Sequence, residues 1–196
     1  PASNVDRSGE WSAWLRDLGR VDRVYSLIGS DTPLTGDLAD DIEAAISANL
    51  LSPLRALEQI LPLVPAGGAA VVVSSVAHLV PRADVLAYGS AKAALSFALQ
   101  SMMRSERYRD IRIIETRLGW VDTRMSIGRT VPALTISPHA AGERMVKAAA
   151  GSAGTRYVPG WWRLLALAAP VMRAASGRRS ARRPPSAQQV SGAETR

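Results

Sequence analysis

Short apolar runs alternate with longer amphipathic stretches along most of the chain. Residues 69–74 follow a Gly67-Gly68 pair and are too uniformly apolar for a half-exposed strand, which predicts a buried strand of a parallel sheet. The same patterning predicts further strands at 21–28, 111–116 and 155–158, helices at 11–18, 40–63, 85–107 and 138–150, and a loop or short lid at 125–137. Strands that alternate with helices indicate an α/β fold with a parallel, doubly wound sheet and right-handed crossovers.

The composition allows one well-packed core and excludes several chemistries. The chain has 196 residues, of which 47% are hydrophobic. It contains no cysteine, which excludes disulfides, thiolate nucleophiles and cysteine-ligated zinc. The two histidines, His78 and His139, are isolated in the sequence, and we predict no metal site.

Positive charge is concentrated at the C-terminal end. The net charge is +7, and the segment from Arg173 onward holds six arginines and one glutamate, so it carries +5 and the rest of the chain about +2. The body has no basic patch interleaved with aromatic residues, and we predict no nucleic-acid partner. Residues 177–196 are rich in Arg, Ser, Pro and Gln, which predicts a disordered tail.

An apolar segment with paired tryptophans, residues 161–176, precedes this tail. It is too short and too interrupted to span a bilayer, which requires about 20 apolar residues. Its tryptophans and flanking arginines suit a helix that lies on an anionic membrane surface. They suit equally a C-terminal helix that closes a substrate pocket or packs on a partner subunit. No signal peptide is visible, and we expect a cytoplasmic protein, either free of the membrane or associated with it through this helix.

Candidate acid/base chemistry lies in the sequence Tyr88-Gly89-Ser90-Ala91-Lys92. At positions i and i+4 of a helix, Tyr88 and Lys92 project from the same face. A cation near a phenol favours the phenolate, so we expect Lys92 to lower the pKa of Tyr88 and make it an acid/base near neutral pH. A simple surface pair is the other interpretation of this spacing.

Ser75 supports the first interpretation. It follows the predicted strand at 69–74, at the edge where open α/β sheets place their ligands. Its hydroxyl could hold a substrate oxygen opposite the Tyr88 phenol.

Taken in order, these residues resemble the short-chain dehydrogenase/reductase family over roughly residues 21–160. Asn49, in the helix predicted at 40–63, stands where the family carries its catalytic asparagine. The segment 117–125 is similar to the family's Pro-Gly-x-Val-x-Thr segment, with Leu118 where proline is usual. The resemblance implies a Rossmann-like catalytic domain at 1–160 and an NAD(P)-dependent oxidoreductase.

The resemblance also implies a role for each matching residue. Tyr88 would exchange a proton with the substrate oxygen, Ser75 would hydrogen-bond that oxygen, and Asn49 would anchor a proton-relaying water. Lys92 would hold the nicotinamide ribose and keep the phenol acidic. The residues implied in binding NAD or NADP are Gly29, Tyr88, Lys92, Leu118, Gly119, Val121 and Thr123. A homo-oligomer is also implied.

Two features of the family are missing from the sequence. No Gly-x-x-x-Gly-x-Gly turn is present to approach a pyrophosphate, and Ser26-Leu27-Ile28-Gly29 stands where Asn-Asn-Ala-Gly is usual. We therefore expect that about the first three strands are absent from the chain and that the sheet is N-terminally incomplete. Two hypotheses follow: a working oxidoreductase, or a catalytically inactive relative that acts by association with a partner.

Three stretches bear on the substrate. Residues 74–88, 123–126 and 155–159 resemble members of the family that reduce a decaprenylphosphoryl-linked keto-pentose in actinobacteria. Those reductases have a similarly apolar and basic C-terminal segment. The resemblance favours a lipophilic or lipid-linked substrate over a small polar one.

Overall fold

Four parallel strands form a single sheet in a computed structural model that describes residues 14–15, 17–31, 35–126 and 131–180. In spatial order, which is also chain order, they are β1 (Arg23–Ser26), β2 (Ala69–Ser75), β3 (Arg112–Leu118) and β4 (Gly154–Val158). The register pairs Ser75 with Leu118, and Leu118 with Val158. The carboxyl ends of the strands therefore meet at one edge of the sheet, where open α/β folds bind ligands.

The longer helices of the described residues are α1 (Leu38–Ile46), α2 (Ser52–Ile60), α3 (Leu86–Met102), α4 (Pro138–Ala149) and α5 (Trp162–Ser180). Side-chain caps start two of them. The Asp37 carboxylate accepts hydrogen bonds from two backbone N–H groups of α1, at 2.8 and 3.1 Å. Ser137 Oγ accepts the Ala140 N–H at 3.2 Å, with Pro138 in the first turn of α4.

Helices cover both faces of the sheet. Val72 packs with Leu57 of α2 and Leu95 of α3 on one face. Val71, the preceding residue of β2, points to the other face and packs with Met145 of α4. This three-layer arrangement confirms the predicted Rossmann-like α/β class and explains why β2 is almost continuously apolar.

The connection from β3 to β4 has the opposite hand to the connection from β2 to β3. Both steps move to the next strand in the same direction across the sheet. However, α3 packs on one face of the sheet and α4 on the other. The prediction that every crossover is right-handed is therefore wrong for one of these two connections.

The predicted elements differ from the observed ones mainly at their ends and in one helix. The helix predicted at 40–63 is interrupted between α1 and α2 by a π-helical turn, Ser47–Leu51, and ends in a 3₁₀ turn, Leu61–Leu63. The segment predicted as a loop or lid at 125–137 includes a 3₁₀ turn, Pro132–Leu134, and a bridge between Val121 and Ile136. Helix α5 continues to Ser180, four residues into the segment predicted as a tail. Residues 11–13 and 181–196 lie outside the described part of the chain.

No helix within the described ranges is long and apolar enough to cross a membrane. The same ranges contain no cluster of three or more His, Cys, Asp or Glu side chains that could hold a metal ion.

Candidate active site

Asn49 fixes the loop that follows β1. Its side chain is 0% exposed and lies in the π-helical turn between α1 and α2. Asn49 Nδ2 donates to the Ser30 carbonyl at 2.8 Å, and Asn49 Oδ1 accepts the Ser30 N–H at 3.1 Å. These two bonds hold both backbone polar groups of Ser30, so they set the path of the chain beside the sheet edge.

Gly29 lies where Asn49 and Lys92 come together. A Cβ atom on Gly29 would be 2.9 Å from Asn49 Oδ1 and 2.9 Å from Lys92 Nζ. Contacts under 3.0 Å are not tolerated by carbon, so a side chain here would displace both polar groups. Glycine is therefore favoured at position 29 because Asn49 and Lys92 occupy the space that a side chain would need.

Lys92 carries its ammonium group into the protein interior. The residue is 3% exposed and lies on α3 one turn after Tyr88, as the sequence predicts. Desolvation lowers the pKa of Lys92 to about 8 because burial disfavours the charged form. Lys92 Nζ lies 5.8 Å from the centroid of the Tyr88 ring.

The predicted effect of Lys92 on Tyr88 is wrong. The pKa of Tyr88 is raised, first because burial disfavours the phenolate and also because the Asp31 carboxylate repels it. A side-chain hydrogen bond with Ser75 lowers the pKa by less than burial raises it, and the effect of Asp31 is the smallest of the three. Tyr88 therefore holds its proton more tightly than an ordinary tyrosine.

Ser75 is the last residue of β2 and lies beside Tyr88. Its Oγ also accepts the Ala77 N–H at 3.1 Å, which turns the chain away from the sheet. Leu118 is its strand partner across the β2–β3 ladder. Ser75, Tyr88, Lys92, Gly29 and Asn49 are thus linked by successive contacts at the carboxyl edge of the sheet.

The other residues implied in cofactor binding lie on the segment that leaves β3. The Gly119 N–H donates to the Val158 carbonyl at 2.9 Å, which ties this segment to the end of β4. The Ser126 hydroxyl contacts the Val121 carbonyl at 2.7 Å and the Thr123 N–H at 3.0 Å. The exposed residue Thr123 is therefore placed by its own turn and not by a contact with Tyr88 or Lys92.

Trp162 packs directly on Gly119. A Cβ atom on Gly119 would overlap the indole nitrogen of Trp162. The Trp162 ring is 5% exposed, stacks on Trp161 with centroids 4.2 Å apart, and is tilted against Trp120 at 5.4 Å. Helix α5 therefore packs against the segment that follows β3. The family resemblance implies that this segment binds the nicotinamide.

Sequence reasoning did not single out Asp31 or Trp162 for this site. Asp31 could have been noticed because it lies two residues after Gly29, at the end of a strand that faces the ligand edge. The paired tryptophans indicate a membrane surface, a pocket-closing helix or a partner contact, since nothing in the sequence indicates that one of them packs on Gly119.

A cavity of about 430 Å³ opens beside the start of α3. Its walls include Pro81, Leu86, Gly89 and Ala93, with His78 at one side. Gly89 and Ala93 lie next to Tyr88 and Lys92 in sequence but on another face of the helix. The cavity therefore borders the Tyr88 site and does not contain its reactive groups.

Comparison with known proteins agrees with this geometry. The sequence model of the short chain dehydrogenase family matches residues 12–131. No curated protein matches the sequence. A short chain dehydrogenase from Burkholderia cenocepacia in complex with NADP is 18% identical over 87% of this chain and 73% of its own, with a TM-score of 0.74.

Two further solved structures are similar. A short-chain dehydrogenase/reductase from Burkholderia multivorans with bound NADP is 25% identical over 74% of this chain and 69% of its own, with a TM-score of 0.58. A short chain dehydrogenase from Mycobacterium paratuberculosis bound to NAD is 16% identical over 76% of this chain and 68% of its own, with a TM-score of 0.63. By its fold and by the family match over more than half of its length, this chain belongs to the short-chain dehydrogenase family.

Proposed function

We propose that the chain is an NAD(P)-dependent oxidoreductase in which Tyr88 exchanges a proton with the substrate oxygen. The observation that carries the proposal is the contact chain Ser75–Tyr88–Lys92–Asn49 around Gly29 at the sheet edge. In a simple surface pair, Lys92 would be exposed and no serine would bond to the Tyr88 hydroxyl. Lys92 is instead 3% exposed, and Ser75 makes a side-chain hydrogen bond with Tyr88.

The protonation states favour proton donation at neutral pH. Because the pKa of Tyr88 is raised, the phenol is protonated and can donate to a carbonyl oxygen as that oxygen gains charge. Ser75 is positioned to hydrogen-bond the same oxygen, since its hydroxyl contacts the phenol. In the reverse direction, Tyr88 must first lose its proton, so alcohol oxidation should require a higher pH than carbonyl reduction.

The donors present fit the ribose end of a nicotinamide cofactor. Lys92 offers an ammonium and Tyr88 a hydroxyl beside the same loop, and both suit ribose hydroxyls. The cofactor, NAD or NADP, would supply the hydride chemistry. Gly119, Val121 and Thr123 are proposed to meet the nicotinamide because their segment leaves the same sheet edge. The NADP-bound and NAD-bound relatives support this assignment.

Replacement of Tyr88 by phenylalanine tests the proposal. We expect Tyr88→Phe to lower kcat at least about 100-fold, because the ring remains while the transferable proton is lost. Tyr108→Phe is the matched control, since Tyr108 packs at the far side of the main core cluster. Steady-state reduction of a ketone panel with NADH or NADPH measures both variants. Full activity of Tyr88→Phe would contradict the proposed role.

Cofactor titration separates this proposal from the catalytically inactive alternative. Saturable quenching of tryptophan fluorescence by NADH or NADPH is expected for the full chain, because Trp120 follows Gly119. Absence of binding to both cofactors would favour a chain that acts only by association.

The substrate is proposed to be lipophilic or lipid-linked. Met125 and Val131, on the connection that leaves the sheet edge after β3, are both exposed apolar side chains. Exposed apolar groups on this connection suit an apolar substrate better than a small polar one. Comparison of polyprenyl-linked and fatty carbonyl compounds with small ketones tests this, and equal kcat/KM for the two classes would overturn it.

A homo-oligomer is also proposed. Leu51, Leu86 and Phe97 lie on the α1–α3 side of the molecule and are exposed, with Phe97 at 76%. Light scattering of the purified chain should give at least twice the monomer mass, and a monomer at all concentrations would refute this.

A further inference from the structure

Helix α5 has two apolar sides, and only one is covered. Trp162 is 5% exposed and Ala169 is 2% exposed, and these residues face the sheet. Leu164, Leu167 and Val171 are 70%, 70% and 73% exposed. At about 100° per residue, these three side chains fall within an arc of roughly 60° that lies opposite Trp162 and Ala169. A water-exposed helix would normally carry polar residues on this outer side.

The charges along this part of the chain have a single sign. Arg163 adjoins the exposed side of the helix, and residues 161–193 contain six arginines with no aspartate, glutamate or lysine. Trp161 stacks on the buried ring of Trp162 yet is itself 40% exposed. Apolar side chains, an exposed tryptophan at one end and arginines without acidic residues are the features of helices that lie on anionic bilayers.

We propose that the outer side of α5 binds the surface of an anionic membrane. The exposed set Leu164, Leu167 and Val171 would enter the boundary between headgroups and acyl chains, and Arg163, which adjoins them, would meet the phosphates. A second copy of the chain fits less well, because two copies of α5 would bring like-charged arginines together.

Binding of this kind would place the candidate active site near the lipid surface. The inner side of α5 rests on Gly119 through Trp162, and Gly119 belongs to the segment that leaves β3 at the site edge. The proposal does not depend on catalysis, and it is tested without an enzyme assay.

Vesicle co-sedimentation of the full chain is the test. The wild-type chain should sediment with vesicles of equal parts phosphatidylglycerol and phosphatidylcholine, and much less with phosphatidylcholine alone. The triple variant Leu164→Ser, Leu167→Ser, Val171→Ser should lower the partition coefficient about tenfold or more. Val146→Ser is the matched control, because it removes an exposed apolar side chain from α4, a helix with no part in either proposed surface, and should leave binding unchanged.

Three outcomes would overturn the proposal. The first is that the wild-type chain stays in the supernatant with both kinds of vesicle, which would show that it has no affinity for lipid. Unchanged binding of the triple variant would show that arginine charge alone attracts the chain to lipid. A wild-type dimer that becomes monomeric in the triple variant, without vesicle binding, would assign the surface to a second copy. Circular dichroism checks that the triple variant is folded, which is expected because the replaced side chains are exposed.

Discussion

Lys92 is a cation held almost entirely out of water, and this determines how the folded state responds to pH. Its pKa of about 8 lies below the ordinary value of 10.5, so between those values the unfolded chain binds more protons than the folded chain. The free energy of unfolding should therefore rise with pH across this interval. Below about 8 the folded state bears the full cost of burying the ammonium.

Lys92→Met should be more stable than the wild type at pH 7, by up to about 3 kcal/mol, because it removes that cost while filling similar space. Its stability should lack the wild-type rise with pH above about 8. Urea unfolding at several pH values measures both effects. Lys147→Met is the matched control, since Lys147 is exposed. A less stable Lys92→Met protein would mean that the ammonium makes compensating contacts.

Asp31 acts on the tyrosine through charge. Because the Asp31 carboxylate raises the pKa of Tyr88, Asp31→Asn should lower that pKa. The rise of the alcohol-oxidation rate with pH should then move to lower pH. The pH profile of kcat measures this shift, and Asp84→Asn, on an exposed turn, is the control. An unmoved profile would show that Asp31 does not influence the phenol.

At the scale of single residues, the sequence predicts where the side chains of the site lie but not the direction of their pKa shifts. The spacing of Tyr88 and Lys92 predicted their shared helix face correctly, because helix geometry is local. The sign of the pKa shift of Tyr88 depends on how deeply the fold buries the ring and on a carboxylate from another loop. Neither property is encoded in the spacing.

At the scale of elements, helix α5 and the segment after β3 form one unit through Gly119. Gly119→Ala should push Trp162 away and cost about 1–3 kcal/mol of stability, since its Cβ would overlap the indole. Trp162→Ala should remove the clash, so the double variant should lose less stability than the two single losses added together. Denaturant unfolding of all four proteins gives this coupling, and strictly additive losses would show that the two residues do not touch.

The strands were predicted within about three residues at each end, because apolar runs bounded by turn residues are a strong local signal. The π-helical turn at Ser47–Leu51 was not predicted. Its Ser52 N–H bonds to the Ser47 carbonyl, and the Ser52 hydroxyl contacts the same carbonyl at 2.9 Å. The turn places Asn49 against Ser30, nineteen residues away in the sequence, and local propensity carries no information about such a contact.

At the scale of the whole molecule, a buried polar network joins β3, β4 and α3. Arg117 pairs with Glu115, which is 0% exposed, through bonds of 2.9 and 3.1 Å. The same guanidinium donates to Tyr157 Oη and to Ser96 Oγ, each at 2.7 Å, and Thr155 donates to Glu115 at 2.9 Å. The β3–β4 pair is thus held together by charge as well as by its backbone ladder.

Arg117→Met should cost about 3–5 kcal/mol, because it leaves the Glu115 carboxylate buried without its cation. Addition of Glu115→Leu should recover much of that loss, since the charge is then removed with its partner. Chemical denaturation of the two variants measures the recovery. If the double variant is less stable than Arg117→Met, the carboxylate has enough other partners to remain charged alone.

The sequence could not indicate the reversed hand of the β3–β4 connection. Strand and helix order are the same for either hand, and the general preference favours the right-handed form. The hand is evident only from the packing of α4, whose Met145 contacts Val71 and Ile114 on the face opposite to α3.

The crowding around Gly29 has a consequence for evolutionary divergence. A side chain is blocked there by two specific atoms, Lys92 Nζ and Asn49 Oδ1, and not by the backbone. A lineage that lost only the lysine would still meet Asn49 Oδ1 at position 29, so glycine would be released only where both side chains were replaced. A larger residue at position 29 should consequently appear in descendants of this chain together with changes at positions 49 and 92, and it would indicate that both side chains have gone out of use.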